Sequence, residues 1–141
     1  MLGFPIPPEF PLADLSGQEV TQVCIGLSQV QIQFYRQRQS DAPASWERGA
    51  RIDVEAAFTL HMGGPQSIRV EPTEFKLSAG MLAGLLGEAA VQVTRLAGNE
   101  IRIQFSNSHS LQLHTDPQGF ESFHLHVGGE SITVSGARSA A

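Results

Sequence analysis

The chain has 141 residues, 41% of them hydrophobic, and its 14 acidic against 9 basic side chains give a formal net charge of -5. A chain of this length fits one domain that buries roughly two thirds of the surface its unfolded form exposes. The negative balance excludes a polyanion as the expected partner, so no nucleic acid is expected, and no run approaches the roughly 20 apolar residues of a membrane span.

The opening MLGFPIPPEFPLADL has no basic region ahead of an apolar one, and prolines at 5, 7, 8 and 11 interrupt any helix. It reads as a Pro-rich arm over residues 1–14, lying on the domain or mobile, and not as a secretory signal. A cytoplasmic protein is the expectation. The single cysteine, Cys24, lies in the apolar run VTQVCIGL and reads as a packed core thiol with no disulfide partner.

From residue 15 the pattern is of short strands. In VQIQF the apolar Val30, Ile32 and Phe34 alternate with polar neighbours, and RIDVEA repeats this with Ile52 and Val54 inward and Asp53 and Glu55 outward. Between them, YRQRQSDAPASWERGAR holds the only tryptophan and tyrosine and four of the nine basic residues, Arg36, Arg38, Arg48 and Arg51. It reads as a loop, and aromatic and arginine residues are the types enriched at binding hot spots, so Trp46, Arg36, Arg38 and Arg48 are the candidate binding residues. FTLHMGGPQSIRV, residues 58–70, then reads as a hairpin turning at Gly-Gly.

LSAGMLAGLLGEA follows, with Met81, Leu82, Leu85 and Leu86 at helical spacing, Ser78 placed to cap the start and Gly87 to end it, and predicts a short linker helix within 73–86. The second stretch then resembles the first. FHLHVGGESITV, residues 123–134, aligns with FTLHMGGPQSIRV once Pro65 is omitted, with Phe, Leu, His, Gly, Gly, Ser, Ile and Val identical. GEAAVQVTRLAGNEIRIQF, from Gly87, aligns with GQEVTQVCIGLSQVQIQF, from Gly17. The chain therefore reads as an internal duplication, a first repeat over 15–72 and a second over 87–135, with a flexible tail at 136–141.

Five histidines offer chemistry. Alternation puts His124 and His126 on one outward face ~7 Å apart. With His114 from the preceding strand, three imidazoles are the candidate metal ligands, as in zinc-type sites. His61 and His126 occupy the same position of the two repeats, at a hairpin end where an imidazole can bond backbone. Glu121 lies between Phe120 and Phe123. Without a bulge it points inward, where burial makes a carboxyl a candidate catalytic acid or base; with a bulge it points to solvent. The serines form no Ser-His-Asp arrangement, no glycine-rich phosphate loop precedes a helix, and no cofactor is implied.

GQEVTQVCIGLSQVQIQF, MLAGLLGE, IRIQFSNSHSLQLH and FESFHLHVGGESITV together resemble a family of small bacterial proteins catalogued as a domain of unknown function. The likeness covers most of residues 15–135 and departs at SNSHS, where an Asp-Gly type of turn is expected. It implies a shared fold and a bacterial origin, and it carries over no activity and no residue role.

The fold expected is mainly β within the α+β class, two pseudo-symmetric antiparallel halves with about eight to ten short strands and one short helix between them. The functional expectation is a non-catalytic binding or interaction module engaging a protein partner or a second copy of itself, since unpaired sheet edges favour a homodimer. Two alternatives are an immunity-type protein neutralising a partner toxin, and a small metal-binding or hydrolytic protein using the His/Glu cluster.

Overall fold

The computed structural model describes residues 5–38 and 45–136, with the side chains of 37, 38, 45 and 46 excepted. Residues 1–4, the centre of the insertion at 39–44, and the expected tail beyond 136 lie outside the described residues.

Ten antiparallel strands are described: β1 Glu19–Ile25, β2 Val30–Arg38, β3 Ser45–Val54, β4 Phe58–His61, β5 Ser67–Val70, β6 Ala90–Arg95, β7 Ile101–Phe105, β8 Ser110–Leu113, β9 Glu121–Val127 and β10 Glu130–Ser135. They form two five-stranded sheets, β1-β2-β3-β9-β10 (sheet A) and β5-β4-β8-β7-β6 (sheet B). The second order, read backwards, is the first with each strand replaced by its counterpart in the other repeat. The halves are thus pseudo-symmetric, but a half is not a sheet. Each sheet takes three consecutive strands from one repeat and the closing hairpin from the other.

Strand parity fixes which side chains meet. Val30, Ile32, Phe34, Ile52, Val54, Phe123 and Leu125 of sheet A share one cluster with Phe58, Leu60, Ile101, Ile103, Phe105, Leu111 and Leu113 of sheet B. The two sheets therefore enclose a single core. Phe34, Phe58, Phe75, Phe105 and Phe123 are among the largest fully buried side chains, each contributing about 1.5–3 kcal/mol by removal from water.

The sheets also touch where the repeats begin. Gly17 N donates to Ala90 O (2.7 Å) and Gly87 N to Val20 O (2.8 Å), while Glu19 bridges to Ala89. The two first strands carry bulges at matching places, between Val20 and Gln22 and between Ala90 and Gln92. The β1 bulge breaks the parity of VTQVCI, and Cys24 ends half-buried on an edge strand, not in the core as its apolar neighbours predicted.

The segments ahead of each repeat close the open sides of the core. Ile6, Phe10 and Leu12 of the Pro-rich arm are buried with Leu15 directly after it, and Arg95 holds the arm by donating to the carbonyls of Ile6 and Pro7 (both 2.9 Å). The described arm lies on the domain. Between the repeats the helical segment starts earlier than predicted, as a 3-10 turn Pro72–Glu74, one α-turn Phe75–Ser78 and a 3-10 stretch Ala79–Leu85. Ser78 makes no side-chain cap; the start is fixed by a Glu71/Glu74 capping box, with proline in the first turn. Phe75, Ala79, Leu82 and Leu85 are its buried face.

The described residues of the insertion are paired strand, not loop. β2 and β3 continue as a two-stranded ribbon with Arg36 opposite Glu47, Gln37 opposite Trp46 and Arg38 opposite Ser45. On the outer sides, β1 pairs β2 no further than Tyr35 and β9 pairs β3 no further than Arg51. A bulge between Gln33 and Tyr35 marks where the ribbon leaves the sheet. The extra residue on β3 takes Ala50 N out of the ladder, and buried Gln18 replaces the lost partner, its Oε1 accepting from Ala50 N (2.8 Å) while its Nε2 donates to Asp14 O (2.7 Å). Gly49 makes room, since a Cβ there would lie 2.0 Å from Gln18 Oε1.

Candidate functional site

The outer face of sheet A gathers the ionisable residues of β3, β9 and the segment leaving β3. Strand alternation turns Arg51 and Asp53 outward because Ile52 and Val54 enter the core, and the same parity places His124 and His126 outward from Phe123 and Leu125. At the inner end, Arg51 Nε and Nη2 donate to the two oxygens of Asp53 (3.0 and 3.2 Å). His126 Nδ1 contacts Ser131 Oγ at 2.8 Å, and its Nε2 lies 3.2 Å from Asp53 Oδ2 and 3.1 Å from Arg51 Nη2. The tautomer decides whether that nitrogen donates to the carboxylate or accepts from the guanidinium. His126 is thus a fully engaged member of a polar row. His61, its counterpart, keeps a buried Nε2 with no hydrogen-bond partner among the described residues.

At the other end of the face, His124 Nδ1 is held by Thr133 Oγ1 (2.9 Å), and its Nε2 is in hydrogen-bond contact with Glu55 and 4.0 Å from Glu121 Oε2. One ligand atom each from Glu55, Glu121 and His124 lie within 4.8 Å of one another. Glu121 reaches this face through a register shift between Val134 and Ser135, which pairs Val134 with Phe123 but Ser135 with Glu121. The bulge decides the alternative posed by the sequence: the carboxyl points to solvent, 63% exposed, and not into the core. Glu55 comes from the first repeat. Its amide and that of Ala56 both donate to Ser122 O (2.8 and 3.0 Å), which pins the crossing from sheet A to sheet B against β9.

His114 does not join His124 and His126. It follows β8 with the outward parity of Gln112, opposite to the core-facing Leu111 and Leu113, and so lies on the outer face of sheet B with the core between it and them. Its Nε2 contacts Thr59 Oγ1 (2.7 Å) and its Nδ1 Glu100 Oε1 (3.1 Å), and Glu100 further accepts from Gln112 Nε2 (3.0 Å) and Thr115 N (3.3 Å). The three-histidine convergence expected from the sequence is therefore replaced by one histidine and two carboxylates. Glu55 carried the right outward parity in RIDVEA, but nothing in the sequence placed it beside the second repeat.

Among the candidate binding residues, Arg36 and Arg48 are exposed on the ribbon, and Arg36 Nε donates to Glu47 Oε1 at 3.0 Å. Arg38 and Trp46 belong to the paired backbone of the ribbon, with side chains outside the described residues. No described helix is long and apolar enough to cross a membrane. No family model, curated protein or solved structure matches the chain.

Proposed function

We propose that the chain is a non-catalytic interaction module that engages a protein partner through the β2–β3 ribbon. One observation carries the reading: the described ends of the only long difference between the repeats pair as a ribbon extending past the flanking strands, and among the described residues no strand pairs its outer edges beyond Tyr35 and Arg51. A two-stranded ribbon gains little stability by itself. Open strand edges are templates on which an extended segment of another chain can pair. The ribbon also carries Trp46, Arg36, Arg38 and Arg48, residue types on which binding energy concentrates. The hydrogen-bonding row on sheet A supports the same reading, because a partner laid along the ribbon continues onto Arg51, Asp53 and His126.

The test shortens the ribbon without touching its anchor. Replacing residues 37–46 by Asn-Gly closes the hairpin at the Arg36–Glu47 pair with a turn suited to a two-residue connection. The shortened chain is expected to keep the melting temperature of the parent. A photo-crosslinker at position 36 is expected to give a discrete protein adduct in source cells with the full ribbon and none after shortening. An unchanged adduct in the shortened chain, or adducts no different from those given by a crosslinker at exposed Leu77, would reject the ribbon as the interface.

A further inference from the structure

We propose that Glu55, Glu121 and His124 form a binding site for a divalent transition-metal ion of the zinc class. This goes beyond the ribbon reading and is independent of it. Imidazole and carboxylate together are a donor set for such ions, and one histidine with two glutamates leaves a fourth position open in a tetrahedral shell.

The comparison that carries the inference lies within the molecule. By the pairing of β3 with β9 and of β8 with β4, His114 and Thr59 of sheet B stand where Glu55 and His124 stand in sheet A. At the sheet B position the polar groups close on themselves. Both nitrogens of His114 are taken, and Glu100 accepts from three donors. That is what a structural hydrogen-bond knot looks like on this scaffold. At the sheet A position the same knot is over-supplied with negative charge. Glu55 alone satisfies Nε2 of His124, yet a second carboxylate, Glu121, is brought to 4.0 Å from the same nitrogen by a bulge. Two carboxylates facing one imidazole repel each other. A divalent cation balances both.

The surrounding geometry suits a ligand set. Thr133 Oγ1 on Nδ1 orients the ring, and in the tautomer with Nδ1–H donating to that hydroxyl, Nε2 presents its lone pair to a metal in place of its hydrogen bond to Glu55. Bonds of ~2.1 Å place tetrahedral ligand atoms about 3.4 Å apart. Glu121 closes that gap by rotation about an exposed side chain, and Glu55 opens slightly from its contact with Nε2. An entry path exists, since Glu121 and Thr133 also line a groove with Pro5, Pro7 and Ile132.

The test is calorimetric titration of tag-free protein with zinc. One site per chain is expected. Glu121→Gln and His124→Ala are each expected to weaken binding at least tenfold, and Thr133→Val to weaken it less. His114→Ala is expected to leave it unchanged. Glu121→Gln is the decisive variant, because its side chain is exposed and its loss leaves the Glu55–His124 contact and the fold in place; a melting curve without metal checks this. Absence of stoichiometric uptake by the parent chain, unchanged affinity in Glu121→Gln, or a loss in His114→Ala equal to that in His124→Ala would each overturn the proposal.

Discussion

Gln18 looks like an ordinary polar residue at the start of a strand, yet it is only 3% exposed and its amide ties the segment ahead of the first strand to the bulge of β3. It answers the amide of Ala50 that the β3 bulge frees and the carbonyl of Asp14 ahead of the first strand, and it approaches so closely that position 49 has no space for a Cβ. Gln18→Ala orphans a buried N–H, and Gly49→Ala forces the amide side chain out of place. Each is expected to lower the unfolding free energy by about 1–3 kcal/mol. The double variant is expected to lose less than the sum, since both break the same contact. Urea unfolding of the three variants measures this; additive losses would show that the two residues act separately. None of this is legible in the sequence, where Gln18 and Gly49 are 31 positions apart and only the folded bulge joins them. Outward parity was legible for Asp53, Glu55, His124 and His126, because a period of two needs nothing but the pattern itself. Glu121 was legible only as an alternative, because one inserted residue in β9 reverses the side to which it points.

Among the elements, the strands with strict alternation appear where the sequence puts them, because burial of one face leaves a single acceptable register. The helical linker includes the predicted stretch but begins ahead of it, because its apolar spacing was read from Met81 onward while the anchoring residue is Phe75, whose ring lies 6.0 Å from that of Phe58. Pro72 and the Glu71/Glu74 box start the turn ahead of Phe75, and the remaining apolar residues follow as 3-10 turns. Removing Phe75 is therefore expected to cost more than removing Met81. Phe75→Ala leaves a cavity under β4 and is expected to lose about 3–5 kcal/mol, whereas Met81 is only partly buried and packs at the margin. Thermal denaturation of both variants decides between them, and equal losses would mean that the helix is held by its later turns. The ribbon differs in kind from the strands that continue it. Among the described residues no third strand flanks its backbone pairs, so the amides at 36–38 and 45–47 are expected to exchange with solvent far faster than those of Val30 and Ile32, whose strand is flanked on both sides. Hydrogen exchange followed by NMR reads this directly. Uniform protection along β2 would indicate that the ribbon is covered in the free protein.

At the scale of the whole molecule, the order of strands determines what can fold by itself. The chain leaves sheet A after Val54 and enters sheet B at Phe58, and leaves sheet B after Leu113 and enters sheet A at Glu121. Both crossings exchange a hairpin, so β4–β5 completes the sheet of the second repeat and β9–β10 that of the first. The similarity of the repeats was legible in the sequence, but the exchange was not, because a hairpin paired within its own half has the same apolar alternation as one paired across. The same exchange explains why Glu55 and His124 meet although they belong to different repeats. It also sets a test. A fragment of residues 1–72 contains β1 to β5 but lacks the hairpin that pairs β3, and a fragment of residues 73–136 lacks the hairpin that pairs β8. Neither can build a complete five-stranded sheet as a monomer, and each would expose core phenylalanines. Mixed in equal amounts they are expected to recover the parent circular dichroism as a one-to-one complex, while each alone is unfolded or associates in pairs by trading its own hairpin. Light scattering and circular dichroism of the separate and mixed fragments distinguish these states. A well-folded monomeric fragment would mean that the hairpin can fold back onto its own repeat, and the exchanged topology would then be a choice between two accessible pairings and not a requirement of the sequence.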